Sequence, residues 1–223
     1  MNWQAFTRTK TFDLLMGAPL IAWFGYSASN VRAPLVSDAQ ALMRDMGDLY
    51  TNLHFYSLLA SLAFNLLLIW MLLVRTTPVR KSQGLAPRLC AVAGTFLGVG
   101  ILHLPFVHPP FAIMALACVL TLAGGIGSVI VLARLGKAFA IMPEARMLVT
   151  SGPYAYARHP LYAVEFFTIA GIAMQFQQPW AGLLGAATIG LQVIRSIFEE
   201  RVLLAQYPEY AAYRVRVKRF GII

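Results

Sequence analysis

Residues 150–167, TSGPYAYARHPLYAVEFF, hold Tyr154, Tyr156, His159 and Tyr162 together with Arg158 and two prolines, then run into apolar sequence that carries Glu165. Further on, Glu199 and Glu200 stand side by side in RSIFEERVLLAQYPEYAAYRVRV, residues 195–217. Neighbouring residues on a helix point about 100° apart, so the two glutamates must serve different faces. Arg195 and Glu199 are spaced to pair one turn apart, which leaves Glu200 to face a cavity. SGPY at 151–154 reads as a turn, and His159-Pro160 as the opening of a helix. Free backbone N–H groups at such an opening are a ready place for a carboxylate. The tyrosines add aromatic faces and hydroxyls. Ionisable groups at the mouth of an apolar segment are functional candidates by default. Glu165, about two turns into that segment, either lines a polar cavity or pairs with an arginine.

The elements that position these groups follow from composition. The chain has 223 residues, 59% hydrophobic and only 12% charged, and its mean hydropathy is +0.66. A soluble domain carries about 25% charged residues, so the expectation is an all-α polytopic membrane bundle of five to six helices. Spans are expected near 12–28, 53–74, 88–104 and 111–133, followed by two shorter arms near 160–174 and 181–198. Gln175, Gln177, Gln178 and Pro179 separate the arms, which read as a tight hairpin. The first span is read as an anchor, with Trp23 and Tyr26 at the interface, rather than as a cleaved signal.

With the N-terminus inside, every Lys and Arg except Arg32 and Arg44 falls at the inner side, from Arg8 to Arg219. The exceptions share the loop 29–52 with Asp38, Asp45 and Asp48. This bias predicts both termini and the polar cluster in the cytoplasm. The net charge of +9 is then that of basic loops beside lipid headgroups, not of a nucleic-acid binder. The chain reads as one integral domain: a scaffold over 1–133 and a catalytic region over 134–223.

Other features have plainer readings. AGGIG at 123–127 lets another helix approach closely. Cys90 and Cys118 are buried free thiols. His103 and His108 flank Pro105 without further ligands, so no metal site is expected. The connector 75–88 is a basic topology determinant.

Arg158-His159-Pro160-Leu161-Tyr162, the apolar hairpin and Glu199-Glu200 together resemble the isoprenylcysteine carboxyl methyltransferase family of integral membrane methyltransferases, whose relatives include phospholipid methyltransferases. The flanks MPEARMLVTSGPYAYARHPLY and YPEYAAYRVRVKRF are similar to bacterial members, so the likeness covers about residues 134–220. It departs at Val164, where many members carry glycine, and at the Glu165 that follows.

The resemblance implies S-adenosylmethionine as cofactor. Leu148, Val149, Gly152, Tyr154, His159, Pro160 and Tyr162 would form one wall of its site, and Glu199 and Glu200 the other. Glu200, with Arg195 or Arg201 orienting the acceptor, would be the catalytic set. The acceptor would be a lipidic or prenylated molecule or peptide, first of all a carboxylate, reaching the site between the hairpin and the fourth span. A phospholipid amine or a small thiol is the alternative. Tail residues 214–219 would close over the site or hold the membrane surface. The competing classes are a sterol-type reductase using NADPH, which lacks a dinucleotide fingerprint here, and a non-catalytic scaffold or transporter.

Overall fold

The computed structural model describes residues 9–44, 48–105, 109–176 and 179–221. Arg8, Asp45, His108, Gln177 and Gln178 lie outside the described residues.

The apolar runs form helices as their hydropathy predicts. Helix α1 spans Lys10–Met43, α2 Leu49–Val74, α3 Ala86–Phe96, α4 Phe111–Leu135, α5 Pro160–Phe176, α6 Pro179–Gln206 and α7 Tyr210–Arg216. Helix α3 continues into a 3-10 turn over Leu97–His103. There Gly98 and Gly100 let the chain approach Thr188 and Leu184 of α6, since a Cβ at either would already be in contact at 3.5 Å. Two short strands, β1 (Arg80–Lys81) and β2 (Glu144–Ala145), pair antiparallel with Arg80 opposite Ala145.

Among the described residues, four helical stretches are long and apolar enough to cross a membrane: Thr51–Val74, Ala86–His103, Phe111–Ala138 and Pro179–Gln206. Large apolar side chains such as Leu66, Trp70, Ile126, Ile130, Phe166 and Leu183 point outward from the bundle. Water would not tolerate that surface, and lipid does. The protein is an integral membrane helical bundle.

Two boundaries differ from expectation. The loop expected at 29–52 is helical as far as Met43, despite Pro34. Proline ends a helix where nothing else holds it, but here α1 lies along α2, and His54 reaches Asp38 at 2.6 Å. Helix α6 does not stop short near residue 198. It runs to Gln206 and has the length of a full span, at about 1.5 Å per residue, so the second arm of the hairpin is not a half-crossing segment. The 17-residue α5 stays the shorter arm.

A buried ionic knot joins the ends of α1 and α2 to the loop after α4. Asp13 accepts from Arg75 Nε and from Arg146 Nη2, each at 2.8 Å, and Arg146 also reaches Glu144 at 2.8 Å. Arg75, expected as a topology determinant beside lipid headgroups, is buried. The basic connector therefore builds structure: Arg80 Nη1 donates to the carbonyl of Ala205 at 2.8 Å, and Thr76 N–H to that of Lys137 at 3.1 Å. Below the knot, Phe24, Leu68, Met71, Leu72, Leu132, Phe139 and Ile141 form an apolar core.

The glycines of α4 explain how close α5 can come. A Cβ on Gly124 would sit 2.3 Å from Thr168 Oγ1 and 2.8 Å from the Val164 carbonyl, and one on Gly127 would sit 2.9 Å from Val164 Cγ1. Such distances are closed to any side chain, so this seam has no room for a passing lipid chain. Gly124→Ala is expected to lower stability by about 1–3 kcal/mol through overpacking. Gly182→Ala, whose Cβ would meet nothing within 4 Å, is expected to be neutral or slightly stabilising. Thermal unfolding in detergent reads both.

Candidate functional site

The site is assembled from three pieces that are remote in sequence: the loop between α4 and α5, the start of α5, and the far end of α6 with α7 and the tail. Gly136, at φ +50°, ends α4 and turns the chain back under the bundle. Phe139 and Ile141 anchor this return in the core, and Gly152, at φ +64°, starts the 3-10 turn Gly152–Ala155. A side chain at Gly152 would be strained by that φ and would press on Arg134 at 3.0 Å. Pro160 then takes the first position of α5.

Glu199 and Glu200 diverge as their spacing predicts. Glu199 Oε1 accepts from the Tyr162 hydroxyl at 2.7 Å and from Arg195 Nε at 2.9 Å. Its Oε2 lies 3.6 Å from His159 Nδ1. Glu200 is almost fully buried and faces the other way. Its Oε1 receives Arg158 Nε at 3.0 Å, Arg219 Nε at 3.0 Å and His159 Nε2 at 3.2 Å, while Arg219 Nη2 reaches Oε2 at 3.1 Å. His159 thus stands between the two carboxylates, and its ring stacks on Tyr162 with centroids 5.5 Å apart and planes 3° from parallel. The expectation of a free Glu200 facing a cavity is corrected. The adjacent cations claim Glu200, and Glu199, with 21% side-chain exposure, is the carboxylate that lines open space.

The tail docks beside the opening of α5. The backbone N–H groups of Arg158 and His159, just before the helix, donate to the carbonyls of Lys218 and Arg219 at 3.0 and 2.8 Å. Arg158 Nη1 adds bonds to the Arg214 and Val217 carbonyls at 2.7 and 2.9 Å. The tail is folded against the turn, and Phe220 comes within 6.3 Å of the His159 ring. Bonding to Glu200 holds the Arg219 guanidinium above its ordinary basicity.

Two cavities meet here. The loop-side one, about 110 Å³, is walled by Met142, Met147, Leu148 and Val149 of the loop, by Tyr154, His159 and Tyr162, by Arg195 and Glu199, and by Tyr210 and Tyr213 of α7. Burial, helped by the charge of Glu199, pushes the Tyr154 phenol well above its ordinary value. Burial likewise pushes Tyr213 up to about 12 against the opposing Arg158. Both hydroxyls stay protonated at neutral pH, and Tyr213 donates to the Tyr154 carbonyl at 2.5 Å.

The second cavity, about 250 Å³, lies at the level of the spans. It is lined by Phe24 of α1, Phe64 and Leu68 of α2, Gly94 and Thr95 of α3, Glu165 and Ile169 of α5, and Thr188 and Gln192 of α6. Phe139, Leu161, Tyr162 and Arg195 line both cavities and form the partition between them, with Tyr162 and Arg195 as its polar members.

Of the expected site residues, Leu148, Val149, Tyr154, His159, Tyr162, Arg195 and Glu199 converge on the loop-side cavity. Gly152 and Pro160 shape the backbone beside it, and Glu200 holds His159. Arg201 does not reach the site: it is exposed and lies over the Phe198 ring, 5.6 Å from its centroid. Met142, Met147, Tyr210 and Tyr213 were not among the expected residues. YPEYAAY could have suggested the last two, but nothing local said that α7 would turn back onto the cavity. The first spans, expected as scaffold, wall the apolar cavity. That cavity opens among α1, α2, α3 and the hairpin rather than beside α4, where the glycine seam closes the gap.

The described residues thus form a membrane bundle in which a polar, aromatic cavity backs onto an apolar one. Residues 112–210, from α4 to the start of α7, match the phospholipid methyltransferase family model. The chain is also similar to the cobalt-zinc-cadmium resistance protein CzcN of Cupriavidus metallidurans, 37% identical over 76 residues, which is 33% of this chain and 34% of that protein. The nickel-cobalt-cadmium resistance protein NccN of Alcaligenes xylosoxydans xylosoxydans is 36% identical over 76 residues, 33% of this chain and 35% of its own. The match thus spans about a third of these curated relatives.

Removing one partner of a buried charge network leaves the rest uncompensated. Glu200→Ala is therefore expected to cost about 3–5 kcal/mol and to release the tail, seen as faster proteolysis after Arg216 or Lys218. Arg201→Ala, at an exposed position away from both cavities, is expected to stay within about 0.5 kcal/mol of the parent.

Proposed function

We propose that this protein transfers a methyl group from S-adenosylmethionine to a lipidic acceptor at the membrane surface. The observation that carries the reading is the partition: Tyr162 and Arg195 wall a polar, aromatic cavity on one side and an apolar, span-level cavity on the other. A water-soluble donor and a membrane-soluble acceptor need such a meeting point. The family match of residues 112–210 supports the same reading.

The loop-side residues suit the donor chemically. A sulfonium and an ammonium favour aromatic faces and a carboxylate, which Tyr154, Tyr162, Tyr210 and Glu199 offer. The apolar side chains of Met142, Met147, Leu148 and Val149 suit a flat heterocycle. When bound, S-adenosylmethionine supplies an activated methyl group on a positively charged sulfur. The chain's own part is alignment and exclusion of water. Glu199, fixed by Tyr162 and Arg195, holds a positive group at a set place. His159, held between Glu199 and Glu200, keeps the Tyr162 ring flat against the cavity wall. The phenols of Tyr154 and Tyr213 close the site to bulk water. The tail acts in this reading as the closing strap, and the loops with both termini face the cytoplasm, where the donor is found.

Calorimetric titration of S-adenosylmethionine and S-adenosylhomocysteine into the detergent-purified protein tests this. Binding is expected, weakened roughly ten- to hundredfold in Glu199→Gln through loss of a charge-assisted contact of about 1.5–3 kcal/mol. His159→Ala is expected to weaken it similarly. Folded wild-type protein that binds neither compound in detergent or in lipid nanodiscs would overturn the reading.

A further inference from the structure

Helix α4 carries a stripe that leads off its end. Leu122, Ile126 and Ile130 recur about one turn apart, and Arg134 follows at the same interval, so the four lie along one side of the helix. Ile126 and Ile130 are exposed. With Leu59 and Ala63 of α2 they line an open apolar groove between the two helices. The helices meet closely beside it, since a Cβ on Gly125 would come within 3.0 Å of the Ala60 side chain. At the loop end of α4 lies a second groove, lined by Arg134, Lys137 and the loop residues Thr150 and Ser151. Among the described residues no carboxylate lines it. Arg134 Nη2 donates to the Ser151 hydroxyl oxygen at 3.0 Å, which positions the guanidinium without neutralising it. Arg75, Arg146, Arg158, Arg195 and Arg219 each have a carboxylate partner. Arg134 and Lys137 are exposed, and among the described residues neither makes an ion pair.

One groove suits hydrocarbon and the other an anion, and they follow one another along the same helix face. From Leu122 to Arg134 the helix rises about 18 Å, at about 1.5 Å per residue. That is close to the depth of one leaflet, half of a hydrocarbon core of roughly 30 Å. We propose that an anionic phospholipid of the loop-side leaflet is seated here. One acyl chain lies along the α2–α4 groove, and the phosphate rests on Arg134 and Lys137. The hydroxyls of Thr150 and Ser151 can donate to its remaining oxygens. Neither groove shares a residue with the span-level cavity, so this lipid is a resident of the outer face and not a methyl acceptor. Met147, Leu148 and Val149 line both the basic groove and the loop-side cavity. The headgroup therefore backs one wall of that cavity and steadies it.

The test titrates the full chain in detergent with phosphatidylglycerol or phosphatidylcholine of matched acyl chains and reads retained lipid by native mass spectrometry. One phosphatidylglycerol is expected to be held, roughly ten- to thirtyfold more tightly than phosphatidylcholine, as two interfacial cations supply. The double variant Arg134→Gln, Lys137→Gln is expected to lose this preference. Lys81→Gln with Arg88→Gln, the same change of charge on the connector, is expected to keep it. Ala63→Trp, which fills the apolar groove and leaves the cations in place, is expected to weaken phosphatidylglycerol binding. Glycerol phosphate, a headgroup without a chain, is expected not to displace the lipid. In nanodiscs, amide exchange over residues 147–151 is expected to slow when phosphatidylglycerol replaces phosphatidylcholine, and not to slow in the Arg134, Lys137 variant. Equal affinity for the two lipids, a preference that survives loss of Arg134 and Lys137, or one lost equally with Lys81 and Arg88 would each overturn the proposal. Unchanged binding in Ala63→Trp, or displacement by glycerol phosphate, would overturn the lipid in favour of a soluble phosphate. Amide exchange that ignores the lipid would overturn the bracing of the wall. None of these readouts involves a methyl donor, so they stand or fall apart from the methyl-transfer reading.

Discussion

A carboxylate with 4% side-chain exposure cannot stand alone inside a helical bundle, and the way Glu200 is satisfied organises the rest of the site. Arg158 and His159 bring the start of α5 to it, and Arg219 brings the tail. Every one of these elements then takes a place it could not hold by itself. The turn before α5 is pinned from below, the tail is laid across the turn by two backbone bonds, and His159 is set beside Glu199. Buried ion pairs add little net stability compared with apolar packing. Their value here is that one geometry satisfies all partners, which fixes the relative position of segments that the sequence keeps far apart.

A second knot, Asp13 with Arg75 and Arg146, does the same for the outer wall of the loop. Between the knots the loop from Gly136 to Val149 is held on both sides, and the loop-side cavity is the space left over. The span-level cavity arises from a complementary constraint. Glycines draw α4 tightly onto α5 and shut that seam, whereas α3 meets α6 through Gly94 and Gly98 at ordinary contact distance. The remaining space collects on the side of α1, α2 and α3, backed by the hairpin. Tyr162 stands where the two spaces touch because it is two residues past Pro160, at the level where the helix leaves the loop for the bundle.

Much of this was legible in the sequence, for physical reasons that differ from part to part. Helices α2, α3 and α4 follow from hydropathy alone, because a lipid-facing helix must be apolar along its length. The divergence of Glu199 and Glu200, and the Arg195–Glu199 pair, follow from the 3.6-residue period. The close seam at AGGIG follows from the absence of side chains. The length of α1 was hidden, because Pro34 and the surrounding polar residues signal a loop in isolation and only the neighbouring α2 overrides them. The tail's docking was hidden for a related reason: backbone carbonyls of Lys218 and Arg219 carry no residue-specific signal, so the filling of the amides at Arg158 and His159 is visible only in three dimensions. Arg201 was a fair candidate by proximity to Glu200, but its place on α6 turns it outward.

The most direct test of the account is an experimental structure of the protein in nanodiscs with S-adenosylhomocysteine and an alkyl-chain acceptor analogue bound together. The account predicts the nucleoside against Leu148 and Val149, the sulfur at Tyr162 and Arg195, and the alkyl chain among Phe24, Phe64 and Leu68. A nucleoside bound elsewhere, or a sulfur turned away from the partition, would contradict it.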